Sequence, residues 1–273
     1  MKTFQIILIL TIGLFTIGCD DVIYVDLDTA QPKLVIDASI DWVKNTTGNE
    51  QKIKLSTSTG YYNTQFPTVS GATIFITNSA STVFNFTEIP NTGEYVCNDF
   101  VPIIDETYTL TVTLNGEIYT AVETLIGTPV IENTINQNNS GGPNGDEIEI
   151  EFFYQDNGLQ ENYYANSVKT NYTTFPQYSI NSDEFFQGNQ IVQLYSHEDL
   201  KADDILSIKL FGISKRYYNY FSKILKASGN EGGPEGSTPL NVSGNIINQT
   251  NSADYALGFF RLSEVDTMSY VVQ

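Results

Sequence analysis

From Lys33 to Trp42 the sequence reads KLVIDASIDW, and over much of this run apolar and polar residues alternate. A period of two sends successive side chains to opposite faces of a strand, so such a segment buries one face and solvates the other. Comparable runs recur at 52–56, 72–77, 82–87, 95–97, 108–114 and 117–124, with turn sequences such as NTTGN, SGA and NTG between runs. Short strands at this spacing, separated by Asn- and Gly-bearing turns, predict an immunoglobulin-like sandwich.

Gly127-Thr128-Pro129 closes the last of these strands, and the Asn- and Gly-rich segment 135–146 lacks apolar periodicity and reads as a loop. Alternation resumes at 146–156, with Ile148, Ile150 and Phe152 on one face, and further strands are expected at 163–170, 191–195, 205–211 and 255–264. One segment has helical spacing instead: after Ser214 as N-cap, Tyr217, Tyr218, Phe221, Ile224 and Leu225 recur every three or four residues up to Gly229. The opposite face of this helix, 215–228, carries Lys215, Arg216, Lys223 and Lys226, either a solvated face or a dock for an acidic partner. The expected fold is all-β: two immunoglobulin-like β-sandwich domains, 32–128 and 129–273, the second with one inserted amphipathic helix.

The first eighteen residues, MKTFQIILILTIGLFTIG, have the parts of a signal peptide: Lys2, an apolar core, and small Gly18 before Cys19. The apolar run is shorter than the roughly 20 residues that span a bilayer as a helix. Thr16-Ile17-Gly18-Cys19 resembles a bacterial lipobox, with Thr16 where Leu is usual, which implies cleavage before Cys19 and acyl chains, palmitate among them, on its thiol. Asp20 and Asp21 resemble the signal that sends Bacteroidota lipoproteins to the outer face of the outer membrane. They also begin an acidic tether, 19–31. With Cys19 lipidated, Cys97 has no disulfide partner and is expected as a small core residue.

Charge and residue inventory narrow the chemistry. A net charge of −19 repels nucleic acid and anionic headgroups. His197 is the single histidine, and no nucleophile elbow accompanies it, so neither a serine triad nor a usual zinc site is expected. Ser196-His197-Glu198-Asp199 fits a capping box, with Ser196 capping a short helical turn and Asp199 returning the bond. Adjacent acids at 183–184, 198–199 and 203–204 do not by themselves make the opposed carboxylates of a glycosidase. GNEGGPEGS (229–237) lacks the lysine of a phosphate loop. No catalytic residue, metal or cofactor is therefore expected. Tyr163, Tyr164, Tyr172 and Tyr178 are candidate sugar-stacking residues, although alternating strand aromatics are usually core.

Taken in order, Cys19-Asp20-Asp21-Val22-Ile23, Pro32–Ala38, Val69–Ile74, Gly93-Glu94-Tyr95, Asn162-Tyr163-Tyr164, the 217–225 helix and Pro239–Ile246 resemble the DUF4249 family of Bacteroidota lipoproteins. The resemblance implies no established activity and no catalytic residues. It implies an accessory role beside TonB-dependent outer-membrane receptors. The expectation is a non-enzymatic lipoprotein on the outer membrane, facing the cell exterior, that helps a TonB-dependent transporter or other β-barrel complex in ligand capture or assembly. The alternatives are a stand-alone glycan-binding lipoprotein and a carboxylate-dependent hydrolase.

Overall fold

The computed structural model describes residues 31–60, 63, 65–228 and 242–273. The expected signal peptide 1–18, Cys19, Asp20, Asp21 and nearly all of the tether lie outside the described residues, as does the segment 229–237.

The chain is all-β with a single α-helix among the described residues. Its first seven strands are β1 (Leu34–Val43), β2 (Gln51–Thr57), β3 (Thr73–Asn78), β4 (Val83–Ile89), β5 (Glu94–Cys97), β6 (Thr107–Leu114) and β7 (Glu117–Thr124). The turns need backbone that few residues tolerate: Asn45, Gly48, Gly71, Asn91 and Gly93 all have positive φ. Inward residues such as Ile36, Ala38 and Ile40 on β1 and Leu110 and Val112 on β6 are fully buried in one cluster. The set alternates as the sequence does, and it encloses Cys97.

Six strands and the helix follow: β8 (Ile131–Gly141), β9 (Glu147–Gln155), β10 (Tyr163–Thr170), β11 (Gln177–Ser182), β12 (Gln190–Ser196), β13 (Ile205–Ile213) and α1 (Lys215–Ala227). The short β14 (Ile247–Asn248) and the long β15 (Leu257–Val271) complete the chain. One twelve-stranded sheet runs in the order β11-β10-β13-β15-β1-β2-β5-β4-β3-β6-β7-β14, and a second sheet is β12-β9-β8. The large sheet curls back on itself around the first cluster. Its β10, β13 and β15 also face the small sheet across a second cluster that includes Phe152, Tyr154, Tyr164 and Leu210.

Two expectations need correction. The segment expected as a loop, 135–146, mostly continues β8, which pairs with β9 through register shifts at Ile131/Ile135 and Asn138/Gly141. An edge strand that lends only a few side chains to the core carries Asn and Gln on its solvated side, so it lacks a clean apolar period. At 196–199 the capping atom is on His197, whose Nδ1 accepts the Asp199 N–H at 3.1 Å. Ser196 belongs to β12, paired with Glu149, and caps nothing.

β15 joins the two halves. It runs parallel to β1, Val35–Val43 against Leu257–Val265, and antiparallel to β13 further along. Phe260 and Leu262 fill the first cluster, whereas Met268 and Tyr270 pack on the second. Pro32–Gln273 is accordingly one unit in which the two clusters share a strand. Where β13 has ended, the Asn245 side chain completes the ladder, donating to Phe260 O and accepting from Phe260 N, both at 2.8 Å. Gly258, at φ +103°, lets the strand pass directly over the Ile36 carbonyl.

Candidate functional site

The outer face of the large sheet, away from both clusters, is where polar and charged side chains collect. On β1 the residues opposite the buried Ile36, Ala38 and Ile40 are Asp37, Ser39 and Asp41. The parallel register sets Ser39 beside Arg261 and Asp41 beside Ser263. On β10 and β13 the same face carries Ser167, Lys169, Ser207 and Lys209. Here Lys169 is paired with Ser207 and Ser167 with Lys209.

α1 roofs one end of this face. Ser214 caps it by accepting the Tyr217 N–H, and the aromatic stripe then packs downward. Tyr217 meets Phe259 edge-on at 5.1 Å and stacks on Phe221 at 5.4 Å; Phe221 in turn meets Tyr178 of β11 at 5.5 Å. Between helix, β11 and the strands lies an open cavity of about 440 Å³, lined by Tyr178, Tyr217, Phe221 and Phe211, and by the charged groups Asp37, Asp41, Lys169, Lys209 and Arg261. That size lies within the usual range of small-ligand pockets. Asp37, Ser39 and Asp41 also line a neighbouring depression of about 420 Å³ over β2, with Lys52 and Lys54, so the two form one trough.

Arg261 is the buried charge in this trough, with 9% of its side chain exposed. Its Nη2 lies 2.7 Å from Asp41 Oδ1 as an ion pair, and Nη1 donates to Ser263 Oγ at 2.6 Å. Phe211 and Tyr217 hold its guanidinium between their rings at 5.1 and 5.2 Å. Burial opposes its charge most strongly, yet Asp41, Tyr217 and Asp37 together keep its pKa above the ordinary arginine value. Its Nε has no hydrogen-bond partner among the described residues. Burial raises the Tyr178 hydroxyl pKa, while Arg261 pulls it the other way.

The candidate tyrosines separate. Tyr178 stands at the cavity with 39% of its surface exposed, and Tyr172 is equally exposed but elsewhere, edge-on to His197 at 5.8 Å. Tyr164 is no stacking surface. It is 2% exposed in the second cluster and donates to the buried Asp156 at 2.6 Å. Tyr163 is covered by Tyr218 and Lys215 and donates to Glu161. At its Tyr163–Tyr164 end both faces of β10 are packed, one by the small sheet and one by α1, so alternation there does not mark a solvent side.

Lys215, Arg216, Lys223 and Lys226 are exposed on α1, with Lys215 paired to Glu161 at 3.0 Å. Within the acid pairs, Asp183 accepts the Asn162 N–H at 2.8 Å and Asp204 the Lys201 N–H at 3.1 Å, so both serve as local caps. Among the described residues no group of three or more His, Cys, Asp and Glu is placed to hold a metal ion, and no helix is long and apolar enough to cross a membrane. Arg261, Asp37, Asp41, Lys169 and Lys209 were not singled out by sequence reasoning. The available signals were one arginine within ALGFFRLSEV and the polar set that alternates with the core residues of β1.

The profile of a family described as "Domain of unknown function (DUF4249)" matches residues 20–269. No curated protein matches the sequence. Among solved structures, a DUF4785 family protein from Legionella pneumophila shares 10% identity at a TM-score of 0.27, over 66% of this chain and 52% of its own. A two-domain fibronectin type III segment of chicken tenascin shares 11% at 0.23, over 67% of this chain and 91% of its own. The chain thus spans about half the length of the Legionella protein. Both likenesses are too distant to inform the fold, which rests on the strand ladders above.

Proposed function

Because the chain belongs to the DUF4249 family, we propose from that premise that it is a non-enzymatic lipoprotein of the outer membrane, anchored through Cys19 and facing the cell exterior. There it captures a ligand and passes it to a TonB-dependent transporter or another β-barrel complex. The observation that carries the reading is the trough: a concave, solvent-open face with a buried arginine at its base and aromatics at one end. The leader and Cys19-Asp20-Asp21 support the anchor, and the exposed cations of α1 offer a docking face to an acidic partner.

Affinity purification from solubilised outer membranes tests it. A β-barrel protein should be recovered with the wild-type chain, and labelled palmitate should be incorporated unless Cys19 is changed to Ser. Recovery of the chain alone would count against the accessory role.

The second reading is a stand-alone glycan binder, supported by Tyr178 beside Phe221 at the cavity. A hydrolase finds less support: Asp37 and Asp41 are four residues apart on one strand, about 13 Å between backbones at roughly 3.3 Å per residue. The paired acids of a glycosidase stand about 5 to 10 Å apart.

A further inference from the structure

We infer that the trough binds an acidic oligosaccharide, with a sugar carboxylate held by Lys169 and Lys209, a ring face set against Tyr178, and hydroxyls directed to Asp37 and Asp41. This rests on the ligand-capture reading above and adds the class of ligand.

The two lysines come first. Lys169 lies opposite Ser207 and Lys209 opposite Ser167 on adjacent antiparallel strands, so the two are diagonal neighbours on one face. Among the described residues neither has an ion-pair partner, although the chain holds 32 acids against 13 bases. Like charges this close on a sheet repel, and an anion between them removes the penalty.

Arg261 gives the independent observation. It is nine-tenths buried and lines the cavity, and its Nη groups are held by Asp41 and Ser263. Its Nε is sealed from solvent, so it acts on a bound anion through its charge at the cavity floor and not by a direct hydrogen bond from Nε. The cavity beside α1 therefore offers three cations, Lys169, Lys209 and Arg261, against two carboxylates, Asp37 and Asp41, in a protein of net charge −19.

The remaining features favour a sugar over a compact aromatic acid. Asp37 and Asp41 would repel a plain anion, but as acceptors they suit the hydroxyls of a polyhydroxylated one. Small Ser39 and Ser207 leave the floor open. The cavity is not closed: the Asp37-Ser39-Asp41 row continues it over β2 into a depression lined by Lys52 and Lys54 together with Glu50 and Glu94. A chain of several units can therefore lie along it with only its unit beside Lys169 and Lys209 on a cationic site.

Isothermal titration of the purified full chain in detergent, at low salt, decides the point with four probes: trigalacturonate, a glucuronate-containing trisaccharide, neutral cellotriose and 4-hydroxybenzoate. At least one acidic trisaccharide should bind tenfold or more tightly than cellotriose and lose that advantage at 1 M salt, where screening acts over about 3 Å. The double change Lys169→Ala/Lys209→Ala lies on exposed positions and should cost tenfold or more in acidic-sugar affinity, with the circular dichroism spectrum unchanged. Tyr178→Ala should weaken both sugar classes.

Equal binding of cellotriose and the acidic sugars, or binding of 4-hydroxybenzoate alone, would overturn the inference and leave ligand capture standing. No binding of either acidic trisaccharide would also overturn it. Acidic-sugar binding without recovery of a β-barrel protein would instead leave it standing and remove the accessory role.

Discussion

Replacing Asn245 with alanine should destabilise the protein by about 4 kcal/mol. The side chain is 1% exposed, and its amide satisfies both backbone groups of Phe260, donating to the carbonyl and accepting the N–H at 2.8 Å each. Phe260 faces this way because β13 pairs with β15 only from Val265 onward, so no strand supplies the partner upstream. Alanine leaves a buried donor and a buried acceptor unmet, each costing about 1–3 kcal/mol, hence about 2–6 kcal/mol in all. At roughly 2–4 °C per kcal/mol for a domain of this size, the melting temperature should fall by about 8–16 °C. Urea unfolding followed by far-UV circular dichroism measures the loss directly. Asn245→Asp refines the argument: its carboxylate can still accept the Phe260 N–H but sets a buried negative charge against the Phe260 carbonyl. That variant should be at least as unstable as Asn245→Ala at neutral pH. It should recover as pH falls, because the buried carboxyl titrates above its unfolded value and its protonated form can donate. A loss below about 1 kcal/mol for Asn245→Ala, or wild-type stability for Asn245→Asp at pH 7, would refute the reasoning.

Gly258→Ala should cost about 2–6 kcal/mol and lower soluble yield, since a Cβ at φ +103° meets the Ile36 carbonyl oxygen and, at 2.8 Å, its carbon. Tyr164→Phe should lose about 1.5–3 kcal/mol in the same urea assay by leaving the 4% exposed Asp156 without its phenol donor, whereas Tyr172→Phe should stay within about 0.5 kcal/mol. Cys97 should resist iodoacetamide at pH 8 in the folded protein and react promptly in urea, because burial, helped by Asp99, pushes its thiol up to about 11. The sign follows: the folded thiol titrates above the unfolded one, so its contribution to stability is full below the unfolded value near 9 and lost as pH rises towards 11.

Much of the local structure was legible because it is decided by neighbours in sequence. The strands of 34–124 follow the period-two pattern, their turns fall on Asn and Gly that accept positive φ, and α1 begins at the Ser214 cap. β8 was not legible, since an edge strand with bulges and a solvated face has no period to read. Tyr163 and Tyr164 misled for the opposite reason: a strand covered on both sides buries residues that alternation assigns to solvent.

The sequence by itself determined the all-β class and the helix with its aromatic stripe and cationic face, because each depends on spacing within a few turns of chain. Only the tertiary structure decided the trough. Asp41 and Arg261 meet because β15 returns from the far end of the chain to lie parallel to β1, and both strands must bury their inner residues in the same cluster. Once Phe260 and Leu262 point inward beside Ala38 and Ile40, the pleat leaves Arg261 and Asp41 facing outward together. No local pattern encodes that pairing, because its driving force is the burial of two whole strand faces more than two hundred residues apart.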